Sequence, residues 1–144
     1  MIYLDTSVLV PLLVHERESS VVRSRLAGVA PGELAISEWT QTEFVSALGI
    51  KVRMHALEWQ TAQDVLRAFQ KMAEESLTVL NPEAGDFSLA SRYLERFDAG
   101  LHAGDALHLA IASNHGARKL YSLDRALVKC AQRLRLAMQV LALS

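Results

Sequence analysis

The chain alternates between short apolar runs and longer segments in which apolar residues recur every three or four positions. A short apolar run bounded by turn residues is typical of a buried strand, whereas the longer spacing is typical of an amphipathic helix. The first run leads directly into Asp5, and the fourth leads into Asp124. The predicted strands are residues 1–4, 34–37, 77–80, 120–123 and 139–143.

The longer segments between these runs predict helices. Ser37 is a suitable N-cap for the helix at 38–55, and His55-Ala56 separates it from the next helix, so the two should form a hairpin. Pro31-Gly32 predicts a turn. The first predicted helix begins at Glu18-Ser19-Ser20 and stops at Gly28; the others are residues 38–55, 57–75, 84–97, 104–116 and 125–134.

The segment after Asp5 predicts only a single helical turn. Thr6 or Ser7 can cap one helical turn, because side-chain hydroxyls accept hydrogen bonds from the exposed N–H groups of a helix start. Pro11 lacks a backbone N–H and fits best at the start of a new turn. We therefore expect no continuous helix from Thr6 through Pro11.

Strands that alternate with helices predict an α/β sandwich with a mainly parallel sheet. No internal repeat, low-complexity tract or linker interrupts the 144 residues, so we expect a single domain at 1–144. Hydrophobic residues make up 51% of the chain and charged residues 22%, which is typical of an ordinary folded protein.

Cysteine content and hydropathy predict the cellular location of the protein. The single Cys130 excludes an intramolecular disulfide and indicates a reducing, cytoplasmic environment. The chain has no basic leader followed by an apolar stretch, and no apolar run of about 18 residues, so we expect neither secretion nor a membrane span.

The charges are nearly balanced over the whole chain. Fifteen basic and sixteen acidic residues give a net charge of −1, which is no overall signature of nucleic-acid binding. The segment 118–135 is locally basic, with six basic residues and the single acid Asp124. This segment could neutralise phosphates, or it could be a solvated helix surface. Arg125 is the best candidate for a phosphate contact, and Lys129 is the weaker one.

Four carboxylates stand out by position. Asp5 and Asp124 each end an apolar strand, so in a parallel sheet they should lie on the same edge. Asp105 follows Gly104 at the start of an otherwise apolar helix, where an acid could instead complement the helix dipole. Glu43 shares a helix face with three apolar residues, where a carboxylate is costly to bury without a partner. A capping-box role for Glu43 is the alternative, although Ser37 is the earlier cap.

Carboxylates brought together repel one another and their pKa values rise unless a cation intervenes. Oxygen ligands without a Cys or His cluster suit Mg²⁺ or Mn²⁺ rather than zinc. Such a metal site can activate water and stabilise phosphoryl transfer. From the residues alone we therefore predict a divalent-metal phosphoryl-transfer site.

Four segments together resemble the acidic motifs of PIN-domain nucleases, and most closely the VapC-type toxins of bacterial and archaeal toxin–antitoxin systems. Nearly the whole chain takes part, and order and spacing agree. Ser122 stands where many relatives carry Thr, and Pro11 interrupts the first helix. The matching segments are Ile2-Tyr3-Leu4-Asp5-Thr6-Ser7, Thr42-Glu43-Phe44, Gly104-Asp105-Ala106-Leu107-His108-Leu109-Ala110 and Ser122-Leu123-Asp124.

The resemblance implies a three-layer sandwich with about five strands and a Mg²⁺- or Mn²⁺-dependent endoribonuclease acting as a toxin. Asp5 and Asp105 would be the most direct metal ligands, with Glu43 and Asp124 completing the site. The expected partners are RNA, a cognate VapB-type antitoxin and a second copy of the chain in a homodimer or toxin–antitoxin hetero-oligomer. The supporting residues would be Thr6, Ser7 and Ser122, although capping alone could explain Ser7.

Other functions fit less well. A non-toxin PIN-domain RNA-processing nuclease and a non-catalytic module holding a structural metal both remain as alternatives. An aspartyl-phosphate phosphatase needs a second acid where Ser7 stands, and a receiver domain needs paired acids in its first loop. We interpret His108, one turn after Asp105, as a packed or hydrogen-bonded histidine. Trp39 and Trp59 are interpreted as core or interface residues.

Overall fold

The computed structural model describes residues 1–30 and 32–144. These residues form five strands and seven helices, with one or two helices between successive strands. Of the predicted turn at Pro31-Gly32, the proline lies outside the described residues. The strands are β1 (Ile2–Leu4), β2 (Leu34–Ser37), β3 (Thr78–Leu80), β4 (Lys119–Ser122) and β5 (Gln139–Ala142). The helices are α1 (Thr6–Leu13), α2 (Ser19–Leu26), α3 (Glu38–Arg53), α4 (Trp59–Ser76), α5 (Ala84–Leu94), α6 (Ala103–Asn114) and α7 (Arg125–Gln132).

All neighbouring strands are parallel, in the order β3-β2-β1-β4-β5. β1 is therefore the central strand, and the chain order reverses on either side of it. Ligands of open parallel sheets bind at the carboxyl ends of the strands beside such a reversal. The predicted five-stranded parallel sheet is confirmed.

Helices cover both faces of the sheet, which gives the three layers. Because successive strand residues point to opposite faces, Ile2 and Leu4 pack with α1 to α4, whereas Tyr3 packs with α5 to α7. Leu120 of β4 and Ala35 of β2 join Tyr3, while Ile36 joins the opposite core. Each face thus has its own apolar core, with β1 between them.

The helical hairpin is present, and the chain turns at His55, which has a φ of +57°. This left-handed conformation is uncommon outside glycine and ends the helix at Arg53. Phe44 of α3 and Phe69 of α4 stack with ring centroids 4.2 Å apart, and both are buried. The amphipathic face of the second helix is therefore the contact between the two helices.

Two local predictions were wrong. α1 continues through Pro11, whose missing N–H removes only one helical bond; the helix is held by the buried side chains of Val8, Leu9 and Val10. α5 ends at Leu94 rather than at Phe97. Phe97 is 93% exposed, so no apolar contact extends the helix as far as that residue.

Candidate active site

Two predicted acids lie at the carboxyl edge of adjacent strands. Asp5 follows β1 directly, and Asp124 lies two residues after the end of β4. β1 and β4 pair in parallel, and the Asp5 N–H donates to the Tyr121 carbonyl at 3.2 Å. The expectation that both acids lie on the same edge of the sheet is met.

Asp5 is almost completely buried, with 4% of its surface exposed. Its Oδ1 accepts hydrogen bonds from the Ser7 N–H at 3.0 Å and the Ser7 hydroxyl at 2.5 Å. Asp5 is thus the N-cap of α1, a role we had predicted for Thr6 or Ser7. The correction has a simple cause: Asp5 has the extended backbone of a cap residue, and aspartate is among the preferred caps. Burial raises the pKa of Asp5, although the Ser122 and Ser7 hydroxyls oppose the shift.

Asp124 is exposed and caps α7. Its Oδ1 accepts from the N–H groups of Ala126 at 2.8 Å and Leu127 at 3.1 Å. Ser122 Oγ accepts from the Asp124 N–H at 2.9 Å and lies 3.3 Å from Ser7 Oγ. The two serine hydroxyls therefore connect the Asp5 and Asp124 loops.

Asp105 is best understood beside Asp86, because both follow Ala-Gly at the third position of a helix. Asp86 is 1% exposed and accepts from the Asn114 side chain at 2.7 Å and from His115. Asp105 is half-buried and accepts only a weak bond from the His102 N–H at 3.4 Å. Burial, together with the negative charge of Asp124, raises the pKa of Asp105, while His102 opposes the shift. The same local sequence therefore gives one aspartate with two side-chain partners and one whose hydrogen bond comes from the backbone alone.

Glu43 is held by two side chains. Its Oε1 accepts from the Thr6 hydroxyl at 2.7 Å and is hydrogen-bonded to His108 Nε2. Burial raises the pKa of Glu43, but the hydrogen bond and charge of His108, together with Thr6, outweigh burial and lower it. The capping box of α3 is formed by Ser37 and Thr40, so Glu43 is not a capping residue.

Glu43 does not lie on a buried apolar stripe. The predicted stripe contains Ala47, Ile50 and Met54, yet Ile50 is 46% exposed and Met54 is 73% exposed. The buried stripe of α3 instead consists of Thr40, Phe44 and Leu48. Glu43 therefore lies at the edge of the buried face, where one carboxylate oxygen reaches Thr6 and His108.

The acids lack basic partners. Across residues 1–30 and 32–144, no lysine or arginine forms an ion pair with Asp5, Glu43, Asp105 or Asp124, and the His108 ring, on Glu43, is the one basic side chain paired with any of them. The negative charges of Asp105 and Asp124 also repel each other, which contributes to the raised pKa of Asp105. The pKa values of Asp5 and Asp105 are raised, and a donor set of carboxylate oxygens fits Mg²⁺ or Mn²⁺.

The side chains are not gathered around one point. Within the described part of the chain, no group of three or more His, Cys, Asp and Glu is arranged to hold a metal ion. Asp5 and Asp124 point their Oδ1 atoms at the first turns of α1 and α7 instead. The donor chemistry therefore fits a divalent ion, and a common coordination geometry would require these side chains to rotate.

The basic candidates lie beside this edge. A cleft of about 710 Å³ is lined by Ser7 together with Arg17, Lys51 and Arg125. Glu16 and Glu18 also line it, and Lys51 is ion-paired with Glu16. Arg125 is exposed and donates to Ser144 Oγ at 3.2 Å, while Lys129 is exposed on the next turn of α7. Cationic side chains next to an acidic edge could contact phosphates that the acids alone would repel.

Some residues of the site region escaped sequence analysis. Tyr3 was read only as a core residue, yet its hydroxyl bonds to His108 Nδ1 at 2.8 Å. The sequence signal that could have placed His108, and with it Tyr3, near the site was the spacing of Asp105 and His108, which puts both on one helix face. His108 is 2% exposed and hydrogen-bonded, as expected. Trp39 packs against the core, whereas Trp59 is 69% exposed and is not a core residue.

Comparison with known proteins gives a consistent result. The profile of the PIN domain family matches residues 2–132. VapC20 of Mycobacterium tuberculosis, a sarcin–ricin-loop-cleaving toxin, is 18% identical with a TM-score of 0.70, covering 96% of this chain and 99% of its own. VapBC-1 of nontypeable Haemophilus influenzae is 19% identical with a TM-score of 0.70, covering 99% and 98%.

A third solved structure is DNA-bound VapBC of Salmonella typhimurium, 15% identical with a TM-score of 0.69, covering 99% of this chain and 98% of its own. At these identities the structures share the fold. No curated protein sequence matches the chain significantly. None of the helices in the described residues is long and apolar enough to span a membrane.

Proposed function

The chain belongs to the PIN domain family, and on this premise we propose that it is a metal-dependent endoribonuclease. The observation that carries the proposal is the buried Asp5 carboxylate at the carboxyl end of the central strand, which no lysine or arginine of the described residues balances. A structural role alone does not explain the burial of such a charge, because a neutral asparagine caps a helix equally well.

The proposed roles follow from position. Asp5 and Asp105 would be the most direct ligands of a Mg²⁺ or Mn²⁺ ion. Glu43 and Asp124 would complete the site, directly or through water, and help to position the attacking water; Thr6 fixes the Glu43 carboxylate at 2.7 Å. A bound divalent ion lowers the pKa of water and stabilises the charge that develops on the phosphate. Ser7 and Ser122 hold the Asp5 and Asp124 loops together, and Arg125 and Lys129 contact the RNA backbone.

We further propose that the protein is the toxin of a toxin–antitoxin pair. The support is the shared fold, over nearly the full length of both chains, with structures described as VapC and VapBC. The expected partners are a VapB-type antitoxin that covers the acidic edge and a second copy of this chain. We also propose that residues 1–144 form a single domain that acts in the cytoplasm.

The test of the nuclease proposal is cleavage of total RNA with and without Mg²⁺ or Mn²⁺, with mapping of the new ends. Asp5→Asn keeps the helix cap and should abolish cleavage, whereas Asp64→Asn on the exposed face of α4 should cleave like the wild type. Equal cleavage by the wild type and Asp5→Asn, after further purification, would refute the catalytic assignment. Metal binding by the wild type without cleavage of any RNA would instead favour a non-catalytic module.

The toxin assignment has a separate test. Induced expression of the wild type should stop growth, and Asp5→Asn should not. We expect an adjacent upstream gene for a small protein with a DNA-binding N-terminus, and co-expression of that protein should restore growth and yield a complex that co-purifies; absence of such a gene would favour a solitary nuclease. Cleavage in vitro without growth arrest would favour the RNA-processing nuclease.

A further inference from the structure

A buried chain of hydrogen bonds leads from the first strand to Glu43. The Tyr3 hydroxyl lies 2.7 Å from Ser37 Oγ, 3.0 Å from Thr40 Oγ1 and 2.8 Å from His108 Nδ1. His108 Nε2 then bonds to Glu43 Oε1. Burial raises the pKa of Tyr3, so this hydroxyl keeps its proton. Tyr3, Ser37, Thr40 and His108 are all buried, so the network meets solvent only at the half-buried Glu43.

Part of this network follows from elementary chemistry. An ionised carboxylate only accepts, so the proton between His108 and Glu43 belongs to His108 Nε2. His108 Nδ1 bonds to the Tyr3 hydroxyl, which also lies within hydrogen-bond distance of the Ser37 and Thr40 hydroxyls. Both ring nitrogens of His108 are therefore engaged, which fixes the orientation of the ring.

The consequence concerns the two oxygens of Glu43. Oε1 receives both the Thr6 hydroxyl and the His108 ring. Oε2 lies against Gly104, where a Cβ would be only 3.0 Å away, so the absence of a side chain there leaves this oxygen accessible. Glu43 is half-buried, with its Oε1 held on the protein side.

We propose that Tyr3 and His108 are positioning residues that hold Glu43 so that only Oε2 faces the site. This inference rests on the proposed nuclease function for its kinetic consequence, although the hydrogen-bond chain itself does not. The role resembles that of the partners which orient metal ligands in other proteins, whose loss typically lowers metal affinity or activity about 10–100-fold.

The experiment compares His108→Leu, His108→Gln and Tyr3→Phe with the wild type. Leucine removes the donor to Glu43, whereas the glutamine amide can still donate. We expect kcat and the affinity for Mn²⁺, measured by electron paramagnetic resonance without RNA, to fall about 10–100-fold in His108→Leu and Tyr3→Phe, with KM unchanged. His108→Gln should recover part of both. The matched controls, Tyr121→Phe on the adjacent strand and His15→Gln on the surface, should behave like the wild type.

A second measurement covers the case in which His108→Leu does not fold. In nitrogen-15 NMR spectra of the wild type, His108 should show a protonated Nε2 that exchanges slowly, and Tyr3→Phe should lose this signature. An unprotonated Nε2 in the wild type overturns the inference. So does unchanged kcat and Mn²⁺ affinity in folded Tyr3→Phe. Wild-type protein that cleaves no RNA, but whose Mn²⁺ affinity depends on His108, contradicts the nuclease function and supports the positioning role.

Discussion

An aspartate at the third position of a helix has two different environments in this molecule. Asp86 is enclosed by Asn114 and His115, whereas Asp105 has only a backbone contact and a negatively charged neighbour. Sequence spacing cannot separate these cases, because both follow Ala-Gly and both fit a capping role. The difference arises from tertiary contacts, since the end of α6 closes over the start of α5.

The glycines before these aspartates provide a test of the site. Gly104→Ala would place a Cβ 3.0 Å from Glu43 Oε2 and 3.4 Å from Trp39, whereas nothing lies within 4 Å at Gly85. An alanine inside a helix is otherwise favourable by about 0.5–1 kcal/mol. We expect Gly85→Ala to raise stability and leave cleavage unchanged, and Gly104→Ala to lower kcat. Urea unfolding and initial cleavage rates measure both effects; equal activity in the two variants would contradict the proposed role of Oε2.

Asp86 predicts a pH dependence. Burial raises its pKa, but hydrogen bonds from the Glu83 N–H, Asn114 and His115 outweigh burial and lower it. Because the pKa of Asp86 is lower in the folded state than its unfolded-state value of about 3.9, the ionised carboxylate contributes its full stabilisation above the unfolded-state pKa. This contribution is lost as the pH falls through the folded-state pKa. Asp86→Asn should therefore be less stable by about 1–3 kcal/mol near pH 5, and the deficit should shrink near pH 3. Asp64→Asn is the control; the same deficit at both pH values would contradict the assignment.

At the scale of elements, two acids of the site also begin helices. Asp5 caps α1 and Asp124 caps α7. If such a residue both caps a helix and acts in the site, an alanine substitution cannot separate the two roles, because loss of a cap by itself costs about 0.5–2 kcal/mol of stability. Asparagine caps as well as aspartate does, so the two roles can be separated.

The capping role and the catalytic role can be separated more cleanly at Asp124 than at Asp5, because Asp124 is exposed. We expect Asp124→Asn to keep the stability of the wild type while lowering cleavage, and Asp124→Ala to lose about 1 kcal/mol in addition. Thermal unfolding and cleavage rates of both variants decide the question. Full activity in Asp124→Asn would show that the residue only caps α7.

The elements that the sequence predicted well have strong local signals. The run Leu34–Ser37 and its N-cap were placed correctly, because an apolar run followed by a hydroxyl residue describes both the strand and the helix start. Pro11 was misjudged because its local cost was visible in the sequence while the packing of α1 was not. Tyr3 was missed for the same reason, since its partners lie 34 to 105 residues away.

At the scale of the whole molecule, the parallel sheet brings residues from four distant segments to one edge. β1 and β4 are neighbours although 114 residues lie between Leu4 and Lys119 in the chain, and that pairing places Asp5 near Asp124. The alternation of strands and helices predicted the parallel sheet but not the strand order. Side-chain orientation at the edge was also beyond prediction, because it depends on contacts such as that of Glu43 with His108.

Net charge bears on the proposed RNA binding. A chain with a net charge of −1 should bind RNA through a few local contacts, and the salt dependence should be correspondingly small. In an Asp5→Asn background that leaves RNA intact, Arg125→Gln should reduce the slope of log affinity against log salt by about 0.7, the value for one phosphate of a single strand. Lys71→Gln on α4 is the control; an unchanged slope for Arg125→Gln would remove this residue from the RNA contact.

The central claim is that the acidic edge binds a divalent cation. Crystals soaked in Mn²⁺ should show an anomalous scattering peak within about 2.0–2.6 Å of carboxylate oxygens of Asp5 and Asp105, with both side chains rotated toward it. The same soak of Asp5→Asn crystals should lose the peak. Wild-type crystals that show no peak at this edge, whether or not Mn²⁺ occupies a site elsewhere on the molecule, would contradict cation binding by the acidic edge.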